Sequence, residues 1–134
     1  MTSARAPLAV FAGGCLGGAL RLGIDEWVPS TASGLPLDIV AINLIGAFCL
    51  GILAAWVLVQ GARWWVPLVG TGALGAFTTF SALAALPWIA EAGALLAVGL
   101  LCATLVASVA VAAAGWPIGV RIALAQERRA EESS

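Results

Sequence analysis

Four stretches of this chain, at about 7–28, 37–59, 65–88 and 92–115, are each more than 20 residues long and nearly free of charge. A helix crossing the hydrocarbon of a bilayer needs roughly 20 mainly apolar residues. Within lipid only helices and closed barrels satisfy their own backbone polar groups. The pattern predicts an all-α membrane protein with four transmembrane helices, forming a single domain over 1–134. Composition agrees: 62% of the residues are hydrophobic and 10% charged, against about 25% charged in an ordinary globular domain.

The breaks between the stretches are short. "PSTASGLP" (29–36), "QGAR" (60–63) and the region around Pro87 and Glu91 read as tight hairpins, so successive spans alternate direction. Trp27, Trp56, Trp64, Trp65, Trp88 and Trp116 fall near the expected segment ends, as an interfacial aromatic belt requires. The charged tail, 122–134, is expected to fray into solvent beyond Arg121. The length of the first span, its Arg21 and the three spans after it argue against a cleaved signal peptide.

Much chemistry is excluded. Net charge is −1, so no basic field argues for nucleic acid, and there is no histidine. No clustered Cys, Asp and Glu set stands ready to ligate a metal through side chains. Cys15, Cys49 and Cys102 are isolated in apolar runs and read as small buried hydrophobes. An enzyme is not expected. One four-helix subunit is too small to enclose a wide pore, so an oligomer is.

The polar residues inside the spans carry the functional argument. In the first span, Gly13/Gly17 and Gly14/Gly18 form two small-xxx-small pairs that let helices approach closely. Arg21 either pairs with Asp25 at i+4 or faces a wet cavity. In the second, Asp38 reads as a cap at the helix start. Asn43 lies deeper, with Gly46, Ala47 and Leu50 on its face; its amide either ties helices together or faces a pore.

In the third, "GALGAFTTFS" (72–81) straddles the middle of the 24 residues from Trp65 to Trp88. A helix broken there offers bare carbonyl oxygens to a hard cation such as Na⁺. Hydroxyls and the positive edges of aromatic rings suit an anion. The alternative is a continuous helix whose threonines bond back to their own carbonyls. Thr104 and Ser108 share a face of the fourth span and either pack or extend a polar track.

Three stretches, "GGCLGGALR", "NLIGAF" and "GALGAFTTFS", together resemble the Fluc/CrcB fluoride channels, in order and over the first three spans. The resemblance implies an antiparallel dimer with two narrow pores and one central structural Na⁺. It implies that the carbonyls of Gly75 and Thr78, in the broken third helix, hold the sodium. It implies that Asn43, Thr79, Phe80, Ser81 and Arg21 line the fluoride pathway. A fluoride-selective pore must replace tightly held water with N–H, O–H and ring-edge donors. Two departures stand out: Leu83 occupies the place of a second phenylalanine, and the chain has no tyrosine for the fourth helix.

The expected function is therefore passive export of fluoride across the cytoplasmic membrane, lowering its toxicity, with fluoride and membrane lipid as partners. A proton-coupled exporter of the small-multidrug type is the alternative. It needs a carboxylate at mid-membrane, whereas Asp25, Glu26, Asp38 and Glu91 all lie at span ends. A non-conducting partner subunit is a third reading. With four spans, Arg5, Arg63, Arg121, Arg128 and Arg129 share one side, and only Arg21 counts toward the other. That bias places both termini in the cytoplasm. It also favours pairing with an oppositely oriented paralogous subunit over a dual-topology homodimer.

Overall fold

The computed structural model of the protein describes residues 5–27, 37–79 and 94–133. Its elements are α1 (Arg5–Trp27), α2 (Leu37–Gln60), α3 (Pro67–Phe77) and α4 (Ala94–Glu132); among the described residues every regular element is helical. Three of them are long and apolar enough to cross a membrane, over Arg5–Glu26, Ile39–Gln60 and Leu95–Glu132. Packing is inside-out relative to a water-soluble protein. The buried residues are mostly small (Ala55, Ala97, Ala123), while large apolar side chains such as Leu58, Leu95 and Val106 face outward. Lipid is as apolar as leucine, so association here depends on close backbone approach rather than on burial of bulk.

The helices pack as two pairs. In the first, α1 lies along α3: a Cβ at Gly13 would fall on the Leu68 carbonyl oxygen, and one at Gly17 on that of Ala73. Rising residue numbers on α1 meet rising numbers on α3, so the two run parallel. In the second, α2 lies along α4. Gly51 abuts the Ala112 carbonyl, Gly115 that of Phe48 and Gly119 that of Ile52, again in parallel. Gln60 Nε2 donates to the Ala123 carbonyl at 2.9 Å and Trp56 Nε1 to Gln126 Oε1 at 2.9 Å, closing the end of this pair.

The pairs run in opposite directions. Gly70 of α3 meets Leu53 of α2, whereas Thr78 meets Gly46. Gly61, at φ +78°, permits the sharp reversal after α2. The start of α1, the start of α3 and the far end of α4 therefore share one side of the molecule. Of the two glycine pairs in α1, only Gly13/Gly17 make the close approach; a Cβ at Gly14 or Gly18 would meet nothing within 4 Å.

α3 is unusual. Pro67–Leu74 is wound as a π-helix, and Gly75–Phe77 adds one tighter turn. Such wide turns occur mostly as single bulges at functional sites, so eight residues of it are exceptional. The wider helix brings Gly72 against the Val10 carbonyl and Gly13 of α1.

Three expectations are corrected. The charged tail does not fray: α4 continues to Glu132, a helix of 39 residues, or about 58 Å at 1.5 Å per residue. Ala, Gln, Glu and Arg dominate 123–132 and are strong helix formers, and Gln126 is tied to α2. The fourth helix does not stop at 115. Helix α4 passes through Pro117, and the end of α2 is level with Ala123. Trp116 accordingly sits within the helix rather than at its end. The cysteines are exposed on the outer surface of the chain, not buried, because in this fold the apolar side chains face outward.

Candidate functional site

The polar residues of the sequence converge where α3 stops. After Phe77 the backbone turns extended, with Thr78 at φ −76° and ψ 148°. Thr78 caps the end in two ways: its N–H reaches the Leu74 carbonyl at 3.0 Å, and its Oγ1 donates to the same carbonyl at 2.9 Å. The expectation that this hydroxyl bonds back to its own helix thus holds at Thr78, although the helix ends there. Thr104 does likewise, donating to the Leu100 carbonyl at 2.8 Å.

Asn43, buried on α2, takes hold of the next residue. The Thr79 N–H donates to Asn43 Oδ1 at 3.0 Å, and Asn43 Nδ2 donates to the Thr79 carbonyl at 3.3 Å and to the Ile39 carbonyl at 2.8 Å. Both amide hydrogens of Asn43 are engaged, so in this arrangement the side chain positions the backbone. The pairing has a consequence for Gly75. In a continuing α-helix the N–H of Thr79 would bond the carbonyl four residues earlier, which is that of Gly75. Asn43 diverts it. The Gly75 carbonyl thereby loses its helical N–H donor.

Gly75 itself is helical, at φ −66° and ψ −34°, and a Cβ there would meet only the Gly70 carbonyl oxygen, at 3.8 Å. The backbone leaves the helical conformation at Thr78 and not at Gly75. The tight glycine of the site is Gly46, where a Cβ would collide with Thr78 Cγ2. No reading of the sequence singled Gly46 out for this contact; the only trace was its place on the Asn43 face.

Arg21 is half-buried on α1, one turn beyond Gly17, where α1 packs along Gly75–Phe77. Its Nε is buried with no hydrogen-bond partner among the described residues, and no ion pair there joins it to Asp25. The structure therefore brings Asn43, Thr78 and Thr79 into contact, with Gly75 one turn away and Arg21 on the neighbouring helix. Phe80 and Ser81, like Leu83, lie outside the described residues. Among the described residues no group of three His, Cys, Asp or Glu is placed to hold a metal.

The fold and this cluster define a helical membrane protein with a buried polar contact between two of its helices. The chain belongs to the CrcB-like family, described as CrcB-like protein, Camphor Resistance (CrcB), whose profile matches residues 8–116. It is similar to a protein of Paracoccus denitrificans named fluoride-specific ion channel FluC, 40% identical over 77 residues, or 58% of this chain and 62% of the relative. A Cutibacterium acnes protein named FluC 1 is 48% identical over 79 residues, 55% of each chain. A Nocardia farcinica protein named FluC 2 is 36% identical over 124 residues, 84% of this chain and 86% of the relative. The chain thus spans less than two thirds of the length of the first two relatives in the matched region.

Proposed function

We propose that this chain is a subunit of a fluoride-selective channel in the cytoplasmic membrane, passing fluoride out of the cell down its gradient. The observation that carries the reading is the Asn43–Thr79 pair, which stops α3 and leaves the Gly75 carbonyl without its helical donor. A protein does not expose such a group in hydrocarbon without a partner for it. The relatives' names supply the substrate.

The donor chemistry suits a sodium ion. Carbonyl oxygens are hard ligands, and hard cations take them without any titratable side chain. The carbonyls of Gly75 and Thr78 would hold it, as a structural ion between subunits. Two oxygens from one chain do not surround a cation, so an antiparallel partner adds its own from the other side. The ion contributes fixed positive charge between the spans. Beside it the chain offers fluoride the hydroxyls of Thr79 and Ser81, the ring edge of Phe80 and the Arg21 guanidinium, with Asn43 holding the backbone that places them.

The partner is a paralogous subunit of opposite orientation, in keeping with the arginine bias and with relatives numbered FluC 1 and FluC 2. Fluoride efflux from proteoliposomes tests the reading, with this chain alone and with a neighbouring paralogue. Fluoride release with the pair, against none in protein-free liposomes, is expected; none with either preparation overturns it.

A further inference from the structure

We propose that the crevice between the start of α1 and the start of α3 is a binding site for one anionic phospholipid of the adjacent leaflet. The crevice has a volume of about 530 Å³ and is lined by Arg5, Leu8, Ala9, Trp64, Pro67 and Leu68, among others. Ligand pockets fall in this size range. Its walls are apolar and its rim is cationic and aromatic, which matches an acyl chain below a phosphate.

Position supports the assignment. The apolar stretch of α1 runs from Arg5 to Glu26, 22 residues, or about 33 Å at 1.5 Å per residue. Arg5 therefore lies at one boundary of the hydrocarbon, with Asp25 and Glu26 at the other. Trp64 is 81% exposed at the same boundary, where indole rings settle at headgroup level. Arg63 precedes it in the turn.

Charge supports it too. The first turn of α1 contains no acidic residue, and among the described residues Arg5 has no ion-pair partner. The carboxylates on this side, Glu127, Glu131 and Glu132, stand at the far end of α4, which packs on α2. An uncompensated guanidinium over an apolar crevice attracts an anionic headgroup, and the positive-inside bias puts this edge at the leaflet richest in such lipids.

A second crevice supplies the contrast. It holds about 510 Å³ between α2 and α4, lined by Leu50, Gly51, Ala54, Ala112, Ala113 and Trp116. With no charged residue in its wall, it has no means to choose a headgroup.

Native mass spectrometry of the full chain, in detergent with equimolar phosphatidylglycerol and phosphatidylcholine, tests the proposal. Wild type should retain phosphatidylglycerol in preference, and added inorganic phosphate should not displace it. Arg5→Gln should lower its retention about fivefold, the effect of one basic residue near an anionic surface. Ala9→Phe should abolish retention by filling the crevice, whereas Ala113→Phe in the second crevice should change nothing. Equal retention of both lipids, or unchanged retention in Arg5→Gln, overturns the site. Loss of dimer in Ala9→Phe without loss of lipid makes the crevice a protein contact and overturns it as well. Arg5 is exposed, so Arg5→Gln decides the matter even where Ala9→Phe does not fold.

Discussion

Asn43 and Thr79, 36 residues apart, are joined by two hydrogen bonds, from the Thr79 N–H to Oδ1 at 3.0 Å and from Nδ2 to the Thr79 carbonyl at 3.3 Å. A side-chain amide here does what a neighbouring strand does elsewhere: it bonds both backbone groups of one residue. The end of α3 is thus set by α2 and not by α3 alone.

Replacing Asn43 with Ala removes both of its hydrogen bonds to the buried Thr79 backbone, each worth about 0.5–1.5 kcal/mol. A lower thermal midpoint is expected, together with reduced fluoride efflux at matched protein content. Asn43→Asp retains the acceptor for Thr79 N–H and should keep the higher midpoint of the two variants. Efflux unchanged in Asn43→Ala would remove this residue from the pathway.

Sodium should stabilise the protein through carbonyls, so side-chain changes at those positions should differ in a definite order. Thr78→Ala removes one hydroxyl bond to Leu74, about 0.5–1.5 kcal/mol, and should preserve the rise in thermal midpoint on adding NaCl over an equal concentration of N-methylglucamine chloride. Gly75→Ala should also preserve it, because Gly75 is helical and open to a Cβ. Gly75→Leu, with far more bulk beside the carbonyl, should blunt it. A sodium response equal in wild type and Gly75→Leu would place the ion elsewhere.

The two glycine pairs of α1 should separate cleanly in mutagenesis. Gly17→Val drives a side chain into the Ala73 backbone, whereas Gly18→Val meets open space. Overpacking of this kind costs about 1–3 kcal/mol or more. Gly17→Val should lose its monodisperse peak on size exclusion while Gly18→Val elutes as wild type. If both variants elute alike, α1 and α3 are not packed as described.

Reporter fusions at the C-terminus should give cytoplasmic signal. The start of α1, the 61–66 turn and the end of α4 share one side, which collects five of the six arginines. Substantial periplasmic signal would point to dual topology, and efflux by this chain alone would remove the need for a paralogous partner.

The environment and the long elements are legible in the order of the amino acids. Hydrocarbon tolerates only internally bonded backbone, so apolar length and sparse charge are enough to place α1 and α2 within a residue or two. In "GALGAFTTFS" the residues alone left a break and a continuous helix both open. Relations between helices are not legible there. Gly13 and Gly17, rather than Gly14 and Gly18, face α3, because the choice depends on the rotation of α1 about its axis, which a helix apolar on all sides does not encode. The partner of Asn43 is a backbone group 36 residues away, and no local spacing specifies it. The persistence of α4 through Pro117 to Glu132 depends on α2 receiving it at Trp56 and Gln60. Proline at 117 and charge beyond 121 signal an end only so long as nothing packs against them.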